Sequence, residues 1–468
     1  MTISKSLIIN VYTNASPGSW RDPKDKTREF TRDIKSWINF AKLAEKGKIH
    51  AIFIADNLSF FDDYKGPGNY KLPAKIGAFS PRIDPAISIT AMSSVTNNLG
   101  FGITFSTAVE HPYHFARRLA SLDLLTNGRI GWNIVSSYLT SLGPNLLNGE
   151  ALPEHDERYV KTEEYVDVVL KLLLSSWRDD AIKYDKKKGI FADPDLIRKI
   201  NHKGKYLNVE GPGITEPTPQ RFPVIFQAGT STKGKLLAAK YAEVVFLDGR
   251  YDEGIKGDIK EIRRLAETYG RDPQSVKFIV GIRPTIGKTR EELAFNKLEE
   301  AKKFKIPDYS EVVLSGISGI DLSIFEDDEE VNIAKVNEMA TWTNTISKKV
   351  KKSKPTKRQL LDNFATINKN LIGTASEVAN ELERWVHDYD VDGFNLVVDS
   401  FPNDLESIVE LLIPELQKRG IFHKDYTSST LRENINHKEG QKFLREDHTA
   451  YKFKWGADKT KEEFESDL

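Results

Sequence analysis

The residues best suited to chemistry lie in the stretch Phe222–Tyr241, where a short apolar strand leads into a helix. A small turn rich in hydroxyl groups, Gly229–Gly234, connects the two. Backbone N–H groups at such a turn and at a helix start lack partners, and the helix dipole adds partial positive charge. Ser231 and Thr232 add hydroxyl donors. The pattern is typical of a site for a phosphate group, but an ordinary strand-to-helix connection without a ligand shares it.

The same turn fits most of the motif that binds nucleoside triphosphates, because Lys235 follows Gly234 at the required spacing from Gly229. The next position of that motif must be Ser or Thr to hold Mg²⁺, and here it is Leu236. The sequence therefore favours a single phosphate group over a triphosphate.

Polar side chains also collect where predicted strands end. The pair Asp56 and Asn57 suits the N–H and hydroxyl groups of a ligand, although capping of the next turn explains either residue alone. Because the carboxyl ends of barrel strands meet at one face, we expect such residues to converge there. The other residues of this kind are Asn10, Tyr12, Thr104, Thr107, Asn133, Ser136, Ser137, Thr230, Ser231 and Asp248.

The histidines predict no metal site. His111 and His114 flank the start of a helix at Pro112, and no acidic residue stands at recognisable ligand spacing. His155 lies in the polar entry to another helix, where it either caps the helix or donates to a ligand. The absence of cysteine excludes disulfides, thiolate metal sites and a cysteine nucleophile. No Gly-x-Ser-x-Gly motif supports a serine hydrolase.

Composition narrows the class of protein. A chain of 468 residues with 39% apolar residues can build one large barrel or two to three domains. The 68 basic and 68 acidic residues leave no net field to attract nucleic acid or an anionic membrane. No leader pattern follows Met1, and no apolar run is long enough to span a bilayer. The sequence predicts a soluble cytoplasmic protein that binds neither nucleic acid nor membranes.

Apolar, β-branched or aromatic runs recur along the chain, and almost all are followed by a helical pattern. Near-continuously apolar strands that alternate with helices predict a parallel sheet buried on both faces. Eight such units predict an α/β fold, a closed (β/α)₈ barrel. An open doubly wound sheet is the alternative, but no strand is followed by Gly-x-Gly-x-x-Gly. The predicted strands are Leu7–Tyr12, His50–Asp56, Gly100–Thr107, Arg129–Ser137, Pro223–Gly229, Glu243–Asp248, Lys277–Arg283 and Gly393–Val398.

The chain is longer than the ~250 residues of a plain barrel. We therefore predict one barrel domain over residues 1–433, with insertions at about 178–221 and 306–373, and a charged tail at 434–468. The tail is interpreted as a docking arm or a partly disordered segment.

The second insertion has an unusual charge pattern. An acidic run, Glu326–Glu330, precedes a helical stretch, Val331–Val350, and a basic cluster, Lys348–Arg358. The compensating acids favour a solvated loop over a nucleic-acid signal for this cluster. The cluster is also a candidate for steering an anionic substrate.

Several long segments, in order along the chain, resemble a single family. They are Phe53–Asp56, Glu110–Arg118, Gly128–Ser137, Pro153–Tyr159, Gln227–Ser231, Asp392–Leu396, Pro414–Gly420 and Thr430–Glu433. Together they resemble the nitrilotriacetate and dibenzothiophene-sulfone monooxygenases, a branch of the bacterial-luciferase-like flavin monooxygenases.

This resemblance implies a luciferase-like TIM barrel that takes reduced FMN from a separate NAD(P)H:flavin reductase. With O₂ it would oxygenate a small organosulfur, amine or aminocarboxylate substrate, and it would form a dimer or tetramer. The implied FMN contacts are Asp56, Thr104, Asn133, His155, Tyr159 and Ser231. Of these, Ser231 and Tyr159 would hold the phosphate, and Asp56 and Thr104 would lie near the ring system. His111 is the candidate catalytic acid or base.

Some features depart from the family pattern. Where the family usually has Val-Thr-Ser, residues Val135–Ser137 are Val-Ser-Ser. The Lys-rich insertion and the tail are also unexpected for the family. The substrate of this protein therefore cannot be taken over from the named relatives. A deazaflavin-dependent oxidoreductase and a non-catalytic flavin carrier are the alternatives. Aromatic residues near the C-terminal face of the predicted barrel would keep water from the flavin, though each also suits an ordinary core: Tyr12, Phe53, Phe60, Tyr138 and Phe246.

Overall fold

The fold is centred on a closed barrel of eight parallel strands. The computed structural model describes residues 6–14, 16, 18–249, 254–332, 354–364 and 371–466. Each strand pairs with its neighbours in the chain, and the last strand pairs with the first. The predicted (β/α)₈ barrel is confirmed, with every strand end within two residues of its predicted position. In chain order the strands are β1 Ile8–Asn14, β2 Ala51–Ala55, β3 Gly100–Ser106, β4 Ile130–Val135, β5 Val224–Ala228, β6 Val244–Asp248, β7 Lys277–Ile282 and β8 Gly393–Val397.

Outer helices connect the strands. Several begin at side chains that accept an otherwise unpaired backbone N–H: Asp33 accepts from Lys35, and Thr374 forms a capping box with Glu377. The main outer helices are α1 Ile34–Lys46, α2 Pro85–Ser93, α3 Pro112–Leu125, α4 His155–Leu170, α5 Thr232–Tyr241, α6 Ile255–Thr268 and α7 Ala375–Tyr389. After β8 the chain continues through Asn403–Ser407, the π-helical turn Ile408–Leu412, and Ile413–Lys418.

Shorter elements fill the connections. Among the described residues, no helix is long and apolar enough to cross a membrane. The remaining helices are Lys71–Ile76, Leu142–Leu146, Arg290–Lys303, Tyr309–Ser318, Lys357–Phe364, Leu431–Asn436 and Lys461–Ser466, with a π-helical turn at Lys171–Ser175. The 3₁₀ turns are Thr27–Thr31, Pro194–Leu196, Pro273–Ser275, Leu322–Ile324 and Tyr451–Phe453.

A packed core fills the barrel, and its N-terminal end is closed from below. Leu431 and Ile435, on the helix Leu431–Asn436, join the apolar cluster that contains Phe53 and Phe226. Close packing forbids a side chain at Gly131, where a Cβ would lie 2.3 Å from the Phe226 ring. Polar groups that act on a ligand are therefore confined to the opposite, C-terminal end of the barrel, here called the mouth.

The two predicted insertions differ in structure. The first contains two short antiparallel hairpins, Ile182–Asp185 with Ile190–Ala192 and His202–Lys203 with Asn208–Val209. The second contributes the helices Tyr309–Ser318 and Lys357–Phe364 to an apolar cluster of its own, which includes Tyr64 and Ile76 from the connection after β2. This cluster attaches the second insertion to the mouth side of the barrel.

Much of the charged part of the second insertion lies outside the described residues. This applies to residues 333–350 of the predicted helical stretch and to 348–353 of the basic cluster. Within the cluster, Lys357 is buried and pairs with Glu311 at 3.0 Å, and Arg358 pairs with Asp327. Lys357 and Arg358 are therefore paired rather than free to steer a substrate, whereas Lys354 is exposed.

The tail packs against the barrel. Phe453 accepts a hydrogen bond from Ser175 Oγ at 2.8 Å, and the Trp455 N–H donates to Leu174 O at 3.0 Å. Trp455 is fully buried and stacks on Phe464. Of the two interpretations of the tail, the structure favours the docking arm over the disordered segment for residues 434–466.

Candidate active site

Two predicted cofactor contacts are neighbours in the barrel wall. Thr104 on β3 stands opposite Asn133 on β4, and both are buried. Asn133 Nδ2 donates to Thr104 Oγ1 at 2.9 Å, which leaves Asn133 Oδ1 buried without a partner among the described residues. A buried acceptor without a donor is costly in an apolar interior, so this atom is suited to accept from a ligand N–H.

The turn predicted to hold a phosphate, Gly229–Gly234, is shorter in the structure. Helix α5 begins at Thr232, so Gly234 lies in its first turn, and Ser231 is the N-cap residue. Ser231 Oγ accepts from the Gly234 N–H at 3.1 Å. Lys235 forms an ion pair with Asp258 at 2.6 Å. It is therefore not the main counter-charge for a phosphate at this turn. What remains at the turn is a helix N-terminus with a buried hydroxyl group.

Tyr159 and Gly229 complete this turn. Burial raises the pKa of Tyr159, while a hydrogen bond between its hydroxyl group and Ser231 acts in the opposite direction. A Cβ at Gly229 would lie 3.1 Å from the Tyr159 hydroxyl, so the missing side chain leaves this approach open. His155 is the first residue of α4; its Nδ1 lies 2.8 Å from Asp156 Oδ1, and its ring packs against Tyr159 at 5.0 Å. The structure thus brings His155, Tyr159 and Ser231 together.

Asp56 lies directly after β2, where its carboxyl group is nearly covered, and it has a basic neighbour that the sequence did not reveal. Burial raises the pKa of Asp56 to about 6, although the guanidinium of Arg82 acts to lower it. Arg82 Nη1 lies 3.8 Å from Asp56 Oδ1, with side chains 8% and 11% exposed. Since this distance is beyond a hydrogen bond, the pair is electrostatic rather than directly bonded.

Three aromatic rings form a floor beneath these groups. Tyr12, Phe53 and Phe246, from β1, β2 and β6, lie nearly parallel with centroids 5.8–6.2 Å apart. The Tyr12 hydroxyl donates to Asn14 at 3.0 Å. Such a stack offers an apolar surface that excludes water from the centre of the mouth. Phe60, by contrast, packs against Tyr70 in the connection after β2.

His111, the predicted acid or base, caps a helix. It precedes α3 as the N-cap residue, and its Nδ1 accepts from the Tyr113 N–H at 3.2 Å. The side chain is exposed. The capping role is a local explanation for this histidine, and its catalytic role stays a prediction.

The other polar residues at strand ends have varied surroundings. Asn10 is fully buried inside the barrel, and Thr107 Oγ1 contacts Thr162 Oγ1 at 2.7 Å. Ser137 pairs with Ser106 at 2.6 Å. Thr107 and Ser137 are therefore engaged within the barrel wall, whereas both amide atoms of Asn10 lack a partner among the described residues.

Three histidines that sequence reasoning missed meet at the N-terminal end of the barrel. One nitrogen each of His50, His423 and His437 lies within 4.8 Å of the others, a geometry that could hold a metal ion. However, His50 Nδ1 accepts from the Ile9 N–H at 3.2 Å, so neutral His50 carries its proton on Nε2. A metal ligand needs that nitrogen deprotonated, so the contact opposes metal binding. Their sequence positions are far apart, and no spacing pattern marks them.

Comparison with known proteins agrees with the barrel fold. Residues 11–392 match the family model described as luciferase-like monooxygenase. The chain is 38% identical to a long-chain alkane monooxygenase of Geobacillus thermodenitrificans (strain NG80-2), covering 97% of this chain and 99% of the relative. It is 36% identical to a dimethyl-sulfide monooxygenase of Hyphomicrobium sulfonivorans, over 92% and 91%. It is 33% identical to nitrilotriacetate monooxygenase component A of Aminobacter aminovorans, over 89% and 93%.

Solved structures match over nearly the whole chain. The crystal structure of a long-chain alkane monooxygenase has a TM-score of 0.85 at 36% identity and covers 97% of this chain and 100% of its own. A riboflavin lyase solved with modified FMN and riboflavin has a TM-score of 0.87 at 30% identity, over 96% and 100%. A match over 97% of the chain extends into residues 434–468. This relative therefore shares at least part of the tail, whereas the match to nitrilotriacetate monooxygenase component A covers 89% of the chain.

A closed parallel barrel with its polar groups at the mouth is the architecture of a (β/α)₈ enzyme. The chain belongs to the luciferase-like monooxygenase family and is a flavin-dependent monooxygenase.

Proposed function

We propose that this enzyme is the oxygenase component of a two-component system. It takes reduced FMN from a separate NAD(P)H:flavin reductase and uses O₂ to oxygenate a small organosulfur, amine or aminocarboxylate compound. The observation that carries the proposal is the turn at Ser231, because it offers a site for one phosphate group next to a mouth lined by polar and aromatic residues.

The residues at this turn suit the phosphate of FMN. The helix N-terminus of α5 offers backbone N–H groups and a favourable dipole, and the hydroxyl groups of Ser231 and Tyr159 stand beside it. Gly229 leaves room that a side chain would fill. We assign the phosphate to Ser231 and Tyr159, with His155 beside them.

The flavin ring is assigned to the centre of the mouth. The unpartnered Asn133 Oδ1 and the carboxyl group of Asp56 are acceptors for flavin N–H groups, and Thr104 orients the Asn133 amide. When bound, reduced FMN supplies the reaction with O₂, which is the chemistry the protein side chains lack. The part of this chain is to orient the ring and, through the floor of Tyr12, Phe53 and Phe246, to exclude water.

Relatives support a separate reductase. One similar protein is named component A of nitrilotriacetate monooxygenase, which is a designation for one part of a larger system. This chain also has no Gly-x-Gly-x-x-Gly fingerprint after a strand with which it would bind NAD(P)H itself. Similar proteins act on dimethyl sulfide and nitrilotriacetate, which are an organosulfur compound and an aminocarboxylate. The dimer or tetramer stays a prediction.

The test is a reconstitution with purified protein, an unrelated flavin reductase, FMN and NADH under air. Oxygen uptake and product formation are followed over a panel of sulfonates, sulfones, thioethers, amines and aminocarboxylates. We expect at least one class to give a product that depends on all components. Turnover with a reduced deazaflavin instead of FMN, or FMN binding without any product, would refute the proposal.

A further inference from the structure

Arg82 is a rigidly held cation at the mouth. It lies in the connection between β2 and α2, where Nη1 donates to Ala55 O at 3.1 Å and Nε donates to Phe79 O at 3.4 Å. The guanidinium also lies 5.8 Å from the Phe79 ring centre. These contacts fix the plane of the guanidinium, so its remaining N–H groups have a defined direction.

One end of this guanidinium lacks an acceptor. Arg82 Nη2 is buried and has no hydrogen-bond partner among the described residues. Asp56 does not fill this role, because its nearest contact is to Nη1 at 3.8 Å. Leaving a charged donor unsatisfied in a buried place is costly, so this group is suited to an acceptor that a ligand supplies.

The groups that act on the charge of Arg82 come from both the barrel and the second insertion. The phenol groups of Tyr12, Tyr138 and Tyr309 are close enough to raise its pKa, while burial has the larger, opposite effect. Tyr309 begins a helix of the second insertion, Tyr12 lies on β1, and Tyr138 follows β4. A buried cation beside the Phe79 ring, with these phenol groups near enough to act on its charge, suits the charged end of a small organic molecule whose other part is apolar.

We infer that Arg82 Nη2 donates to an oxyanion of the bound substrate, a carboxylate or a sulfonate. The inference rests on the proposed function and narrows its substrate class to small acidic thioethers, sulfones and amines. An anionic acceptor is favoured over a neutral oxygen because its Coulomb attraction to the guanidinium charge adds to the hydrogen bond.

A second arginine of the mouth provides a matched control. Arg283 follows β7, and its charge acts on Tyr12 and Tyr309, as the charge of Arg82 does. It differs because Nε pairs with Asp399 at 3.0 Å and its side chain is 52% exposed. An exposed, paired arginine offers little to a ligand.

The experiment uses the reconstituted enzyme with paired substrates that differ mainly in charge. The probes are methylthioacetate and its methyl ester, iminodiacetate and its dimethyl ester, and benzenesulfonate and methyl phenyl sulfone. Wild type, Arg82→Met, Arg82→Lys and Arg283→Met are compared by substrate-dependent oxygen uptake. We expect wild type to favour the acid of at least one pair, and Arg82→Met to raise the KM for that acid roughly ten- to hundredfold. Arg82→Lys should restore part of the loss, and Arg283→Met should change KM little.

Different failures have different meanings. A wild type that uses only the neutral members overturns the inference and leaves the proposed function intact. The absence of product with every probe and with the wider panel overturns both. If Arg82→Met weakens FMN binding, measured separately by fluorescence titration, without changing the preference for acids, Arg82 serves the flavin and the inference is wrong. The melting temperature of Arg82→Lys verifies that the fold is intact.

Discussion

Two buried arginines at opposite ends of the barrel differ in how fully they are satisfied. At the N-terminal end, Arg432 is fully buried, and it donates to Glu243 Oε2 at 2.7 Å and to Phe222 O at 2.8 Å. At the mouth, Arg82 has a buried Nη2 without a partner among the described residues, and its carboxylate neighbour is 3.8 Å away. The complete set of bonds holds the helix Leu431–Asn436 under the barrel. The incomplete hydrogen bonding of Arg82 leaves a donor for a ligand. The N-terminal end of the barrel therefore serves stability, and the mouth serves ligand binding.

The largest effect is expected from Arg432→Met. Glu243 would remain in the interior without its counter-charge, and removal of one member of a buried pair costs about 3–5 kcal/mol of unfolding free energy. Urea denaturation measures this loss. The half-exposed pair Arg283 and Asp399 is the control, for which Arg283→Met should cost only about 0–1 kcal/mol. Equal losses at the two sites would mean that the N-terminal end is not specially stabilised.

The histidines at the N-terminal end predict acid sensitivity. Burial lowers the pKa of His437 to about 4, and the nearby His423 and Lys277 act in the same direction. The unfolded chain, with a pKa near the usual 6.5, then binds more protons, so stability falls as the pH decreases from 6.5 towards about 4. In His437→Gln this fall should be smaller by about 1–2 kcal/mol, since part of the ring contacts water. Urea denaturation at a series of pH values measures it, with the exposed His387→Gln as control; identical pH slopes would contradict it.

At the mouth, Asp56 predicts a pH-dependent affinity for flavin. Burial raises the pKa of Asp56 to about 6, so the folded protein holds this proton until the pH rises through about 6. The ionised carboxylate is the stronger acceptor for a flavin N–H, so binding should tighten about fivefold as the pH passes this value. Riboflavin is the probe, because the phosphate of FMN titrates in the same region. Fluorescence titration of Asp56→Asn should show no such step, and a step that persists would assign it to another group.

The smallest effect is expected from His111→Asn. Asparagine is a good N-cap residue, so α3 should keep its cap while the imidazole is lost. Because the histidine is exposed and its Nδ1 is engaged with the Tyr113 N–H, we expect kcat to change less than about threefold. A loss of kcat with an unchanged melting temperature would instead support the predicted role of His111 as an acid or base.

The barrel was predictable because each of its strands is a short apolar run with a helix behind it. The position of Asp56, Thr104, Asn133 and Ser231 near strand ends followed from the same rule. The register of β3 and β4 places Thr104 beside Asn133, and Ser231 caps α5; the convergence of all four residues on one ligand stays a prediction.

Other features depend on contacts that leave no local pattern. Arg82 lies in a connection between short helices; its Nη1 donates to the carbonyl of Ala55 at the end of β2, and its charge interacts with Tyr309 of the second insertion. His50, His423 and His437 meet only because the chain returns beneath the barrel after β8. Tertiary folding, rather than sequence spacing, creates both groups.

The most direct test of the account compares FMN with riboflavin on wild type and Ser231→Gly. Glycine removes the hydroxyl group yet costs only a few tenths of a kcal/mol as an N-cap, so α5 should remain intact. If the turn holds the phosphate, loss of a hydrogen bond to a charged group weakens FMN binding by about 1.5–3 kcal/mol, or roughly ten- to hundredfold. Riboflavin binding should be weak in wild type and nearly unchanged in the variant. Equal losses for both ligands would show that Ser231 contacts the ring or the fold, and would contradict the phosphate site.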